Sequence, residues 1–191
     1  MILPIHVYGL PILREQTDDV TENSDALQSL IDDMIETMHN ASGIGLAAPQ
    51  IGRRDRFFVV DLSPIAHDLE EEGKALPPQP MVFINPEILE ETDEEGVFEE
   101  GCLSIPDLRE DVSRPLGIRI TYLDRHFESQ DLMVDGLLAR VIQHEFDHLE
   151  GILFTDHISP FRRRLLRRRL RDMARGEVEA EYPIVTADFG V

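Results

Sequence analysis

One cysteine, one lysine and no long apolar run set the first limits on this 191-residue chain. The single thiol, Cys102, excludes an internal disulfide and is left for packing, metal binding or chemistry. No run of about 18 apolar residues is present, so no membrane-spanning helix is expected. The opening Met-Ile-Leu-Pro-Ile-His lacks the basic and then apolar pattern of a secretory signal. These absences point to a soluble cytoplasmic protein with no membrane partner. There is no internal repeat. Basic charge is scarce as well, the net charge being -20, and it is concentrated. Residues 1–161 hold 10 Lys+Arg against 33 Asp+Glu, whereas residues 162–175 hold eight Arg and one Asp. A body this acidic repels DNA and other nucleic acid except at that one segment. Lysine occurs only at Lys74, against 17 arginines, a pattern that either a salty cytoplasm or an Arg-biased genome produces.

Length favours one domain, residues 1–175, closed by a basic helix at about 160–175, with 176–191 as a tail for which disorder is one reading. Residues up to about 22 read as an extended arm broken by Pro4, Gly9 and Pro11. Leu27, Leu30, Ile31, Met34 and Met38 recur at helical spacing behind Asn23 or Ser24 as N-cap. Strands are expected at Phe57–Leu62, Met81–Ile84, Ile88–Thr92, Gly117–Leu123 and Phe127–Val134, with an exposed loop over Ser63–Pro80 and an acidic turn at Asp93–Gly96. Helices at both ends with strands between, lacking regular alternation, favour an α+β fold.

The most informative stretch is Asp135–Gly151, which contains His144-Glu145-Phe146-Asp147-His148. At 3.6 residues per turn Leu137, Val141, His144 and His148 share a face, with Glu145 beside it; Asp135 suits the N-cap and Gly151 the stop. Two imidazoles one turn apart can grip one metal ion, and the glutamate between them can take a proton from water activated by that ion. The bland alternative, a buried helix with two chance histidines, would leave an acid and two imidazoles to be desolvated without partners. A third ligand is needed, and Cys102 in the turn Glu100-Gly-Cys-Leu-Ser104 offers one, with Asp, Glu or His elsewhere as alternatives. His6, His39, His67, His126 and His157 have no metal spacing.

Gly43-Ile-Gly-Leu-Ala-Ala-Pro-Gln50, Glu100-Gly-Cys-Leu-Ser104 and His144-Glu-Phe-Asp-His-Leu-Glu-Gly151 resemble the three signature motifs of the peptide deformylase family, in order and at about its spacing. The likeness spans roughly residues 1 to 170. It implies an α+β fold with antiparallel sheets packed around a central metal-binding helix, flanked by an N-terminal and a C-terminal helix. It implies removal of the formyl group from the N-terminal formyl-methionine of nascent peptides. Carried over residue by residue, Cys102, His144 and His148 would bind one divalent ion, by family habit Fe(II), with Zn(II), Ni(II) or Co(II) as substitutes. Glu145 would be general acid and base, and Gln50 with the Leu103 N–H would stabilise the oxyanion. The backbone at Ile44 and Gly45 would pair with an extended peptide. Arg109 and Arg114 stand where the family often has arginines, Arg109 being assigned to the substrate. Leu137 and Val141, with Ile44, would wall a slot for the methionine side chain. Some bacterial members use a C-terminal helix to hold the ribosome, which makes 162–175 a candidate docking segment. Two other classes share part of the pattern: a zincin-type endopeptidase, and a non-catalytic ribosome-binding protein whose metal is structural.

Overall fold

The computed structural model describes residues 1–187 except 72 and 74. Its centre is a five-stranded antiparallel sheet in the order β2 (Gly45–Ala47), β3 (Phe57–Val60), β4 (Met81–Glu91), β7 (Gly117–Leu123) and β8 (Ser129–Asp135). Alternation along β3 explains how two helices are placed. Phe58 and Val60 point to one face, with Phe83, Ile118 and Ile120, and pack on Leu138, Ala139, Ile142 and Leu149 of α3 (Gly136–Leu149). Phe57 and Val59 point to the other, with Val82 and Ile84, and pack on Leu27, Ile31, Met34 and Met38 of α1 (Asp25–Asn40). Burial of each such large side chain contributes roughly 1.5–3 kcal/mol, so the sheet is fixed from both sides. The helix α1 starts where the sequence predicts, with Ser24 Oγ accepting from Leu27 N.

A long hairpin, β5 (Glu95–Cys102) with β6 (Ile105–Pro115), stands beside this sheet and was not expected. Its inward positions on β6 include Leu108, Glu110, Val112 and Arg114. Two of those four are charged, which hides the alternation that reveals a strand. The charges are paired: Glu110 accepts both Arg162 donors at 2.9 and 2.7 Å, and Arg114 binds Glu100 and Asp147. Leu108 and Val112 pack with Phe154, Leu170 and Met173, which docks α4 (Pro160–Ala174).

Other expectations need correction. The two strands expected around Asn85-Pro86 form one, β4, because Asn85 at φ +48 and the register shifts on β4 absorb the irregularity. The expected loop after Ser63 contains a short helix, α2 (Ala66–Glu71), held by burial of Leu69. Asp135 occupies the N-cap of α3 in extended conformation, but its side chain makes no capping bond. The tail is structured at least to Val185: β9 (Ile184–Val185) pairs in parallel with β1 (Ile5–His6), so the disorder reading gives way there, and residues 188–191 lie outside the described range.

Candidate active site

Two elements, α3 and β5, bring the cluster together. The inward face of α3 brings His144 and His148, both buried, and the end of β5 brings Cys102. One ligand atom from each of Cys102, His144 and His148 lies within 4.8 Å of the other two. Cys102 Sγ is 3.3 Å from His148 Nε2. A thiolate with two imidazoles is a donor set for a divalent transition ion, and three protein ligands leave a coordination position open. The residues therefore fit a metal.

Buried charges support the candidate ligands from behind. Glu100 lies two residues before Cys102 on the same strand and hence on the same side, and its Oε2 accepts from His144 Nδ1 at 2.9 Å. That bond fixes the ring and leaves Nε2 as the donor atom. Burial of Glu100 is offset by Arg114 Nε at 2.7 Å and Arg140 Nη1 at 2.9 Å. Burial alone would raise its pKa, but the hydrogen bonds from His144 and Arg114 together with the charge of Arg114 hold it far below the usual carboxylate range. Arg114 continues to Asp147 Oδ2 at 2.7 Å, and His157 Nε2 reaches the same oxygen at 2.7 Å. The signal for Glu100 was period-two placement next to the cysteine. For Asp147 it was position three residues after His144 on the helix.

Glu145 is buried, its Oε2 lacks a protein partner among the described residues, and burial pushes its carboxyl up to about 7. Gly45 lies directly against it: a Cβ there would collide with the carboxylate, so only glycine lets β2 run this close. Gln50 is 1% exposed, on the 3-10 turn Ala48–Ile51 after β2. Its Oε1 accepts from Ala47 N at 2.8 Å, which aims the amide NH2 at Ser104 Oγ, 3.2 Å, and Cys102 Sγ, 3.5 Å. His148 is pushed down by burial and then by the neighbouring imidazole, which favours the neutral form a ligand requires.

Gln50, Glu100, Cys102, His144 and Glu145 face a cleft of about 970 Å³, while His148 is buried and does not line it. Ile44, Gly45, Leu103, Leu137, Val141 and Arg109 line it too, so every predicted substrate residue reaches one hollow. Arg109 is on the rim, 3.9 Å from Glu99 and largely exposed, whereas Arg114 is buried in the ion network and faces no substrate space. One wall has no local signal in the sequence: Glu179–Tyr182 of the tail line the same cleft, and Tyr182 Oη donates to Leu103 O at 2.7 Å. Burial, and then the nearby Cys102, raise the Tyr182 hydroxyl well above its ordinary pKa, so it stays a donor.

The polypeptide deformylase model matches residues 2–164. The chain belongs to the polypeptide deformylase family. A peptide deformylase from Salinibacter ruber is 65% identical over 188 residues, covering 98% of this chain and 96% of the relative. A solved peptide deformylase from Thermotoga maritima is 41% identical with TM-score 0.74, covering 84% of this chain and 99% of that one. One from Synechococcus elongatus, solved in complex with actinonin, is 39% identical with TM-score 0.76, covering 87% and 85%. Membership in the polypeptide deformylase family removes the endopeptidase and non-catalytic readings.

Proposed function

We propose that this cleft carries out deformylation with the residue roles that its geometry supports. The activity is hydrolysis of the formyl group from the N-terminal formyl-methionine of newly made polypeptides, releasing formate. Cys102, His144 and His148 hold one divalent ion, Fe(II) in the working enzyme, with Zn(II), Ni(II) or Co(II) able to take its place. When bound, the ion supplies Lewis acidity, which polarises the formyl carbonyl and acidifies water. Glu145 takes the water's proton on its unpartnered Oε2 and delivers it to the departing amide nitrogen. A carboxyl near neutrality does both, since it neither holds nor refuses the proton strongly. Gln50 Nε2 and the Leu103 N–H meet the charge that builds on the formyl oxygen, one such donor being worth about 10² to 10³ in rate. Ile44 and Gly45 pair with the extended peptide, Leu137 and Val141 receive the methionine side chain, and Arg109 contacts the peptide further along.

The single observation that carries these roles is the meeting of the Cys102, His144 and His148 ligand atoms beside a buried carboxylate with a free oxygen. Among the described residues no helix is long and apolar enough to cross a membrane, and we place the reaction in the cytoplasm, where nascent chains emerge. The ribosome is the proposed macromolecular partner. Of the eight arginines in 162–175, Arg162, Arg163 and Arg169 are bonded back to the domain, while Arg164, Arg167, Arg168, Arg171 and Arg175 are exposed.

The test is formate release from a formyl-Met peptide by protein purified without oxygen, with metal content measured on the same sample. Anaerobic handling matters because a lone thiolate beside a redox-active ion is open to oxidation. Turnover in proportion to bound metal is expected. Metal-loaded protein without formate release would reject the roles proposed.

A further inference from the structure

The tail contributes one polar contact inside the cleft that the roles above leave unexplained. After α4 the chain turns at Gly176, φ +80, runs along the cleft as Glu179–Tyr182 and joins β1 through β9. Tyr182 Oη donates to the carbonyl of Leu103, 2.7 Å, and the next carbonyl, of Ser104, accepts from Tyr8 N at 2.8 Å. Leu103 and Ser104 form the turn between β5 and β6, where the ladder register shifts at Gly101 and Cys102. The Cys102–Ile105 pair closes this turn, but the shift separates that pair from the regular ladder. Both carbonyls of the turn are further tied by tyrosines near opposite ends of the chain, one through its hydroxyl and one through its backbone.

We propose that Tyr182 is a positioning residue: its hydroxyl holds the Leu103 peptide so that the Leu103 N–H stays aimed at the developing formyl oxyanion. The inference rests on the reading of Leu103 as an oxyanion donor. An oxyanion donor is effective because it is oriented before the charge appears, and a turn free to rotate would have to be reoriented during the reaction. The N–H and C=O of Leu103 lie in successive peptide planes separated only by its φ and ψ, so anchoring the carbonyl removes one of the motions by which the turn could swing the N–H away. Docking the tail does not need this hydroxyl. Ile5 N to Pro183 O at 2.9 Å, Val7 N to Val185 O at 3.0 Å and packing of the Tyr182 ring against the α1 side of the sheet already hold it.

The experiment compares Tyr182→Phe, which keeps the ring, with Tyr182→Leu, which removes it, using the metal-loaded full chain and a formyl-Met peptide. For Tyr182→Phe, kcat falls about tenfold, part of what outright loss of a donor costs, while KM and metal content stay within about twofold of the parent. Parent-like kcat in Tyr182→Phe with a loss confined to Tyr182→Leu would mean that only ring packing matters, and would overturn the proposal. A fall that follows lost metal or a raised KM would overturn it too, since the contact would then serve the ligand loop or the cleft wall. A third protein carries the α-hydroxy analogue of leucine at position 103, which replaces the N–H with an ester oxygen. Unchanged kcat there rejects the donor reading and the inference with it; a loss there without one in Tyr182→Phe rejects the role of Tyr182 alone.

Discussion

Glu145 and Glu100 are two buried glutamates, both close to His144, and their environments drive them in opposite directions. Glu145 has a free oxygen and is raised by burial; Glu100 is gripped by His144, Arg114 and Arg140 and is lowered. One is kept ready to exchange a proton and the other is kept charged. Glu145→Gln should therefore retain stoichiometric metal and the parental fold while kcat falls by about 10² or more, because the amide cannot accept the proton. Metal analysis beside formate release reads both, and near-parental turnover would remove Glu145 from its role. Glu100→Gln should act differently, weakening metal affinity by about 10- to 100-fold through a poorly oriented His144. Competition with a chelator measures this. Unchanged affinity would show that His144 needs no such partner.

At the scale of elements, legibility followed apolar periodicity. The helices α1 and α3 and the strand β7 were visible in the sequence because one stripe or alternate positions are apolar. The meeting of His144, His148 and Glu145 was foreseeable because a helix places i and i+4 on one face, and Cys102 stood out as the only thiol; their cluster could hold a metal ion. The β5–β6 hairpin was not legible, since Glu110 and Arg114 sit at inward positions and their partners are far away in sequence. Nor was the tail wall, for nothing local in Glu179–Tyr182 announces a cleft. A further long-range tie joins the last turn of α1 to the end of β3: Asp61 accepts from His39 Nε2 at 2.7 Å and from Ser63 N at 2.8 Å. Burial of Asp61 acts upward, but the bonds from Ser63 and His39 lower its pKa on balance. A depressed carboxyl stabilises the fold fully above its unfolded value, about 3.9, and loses that contribution as pH falls through the folded value. The stability gap between the parent and Asp61→Asn, measured by denaturant titration from about pH 6 down to pH 2, should thus be constant at first and shrink below about pH 4. A gap that widens in acid would contradict the assignment.

Over the whole molecule, charge is sorted: an acidic body carries one basic helix whose outward arginines are separate from those that anchor it. Arg162 and Arg169 fasten α4 to β6, leaving Arg164, Arg168, Arg171 and Arg175 on the solvent side. Replacing those four with Glu should abolish salt-sensitive ribosome binding while kcat/KM on a short formyl-Met peptide stays near the parent value. If each meets one phosphate, the parent's slope of log affinity against log salt carries about 3 units from them. Co-sedimentation across a salt series reads it, and unchanged binding by the variant would reject docking through this face. The pairing of Ile5 with Ile184 has a consequence in time. Chains are made from the N-terminus, and closing so long a loop gives no contact until both strands exist. Cys102, His144 and His148 all precede α4 and the tail, so during synthesis the ligand set is complete before the wall at Glu179–Tyr182 has been made. The order of assembly is ligands first and enclosure afterwards, with the last-made segment settling over donors that are already in place.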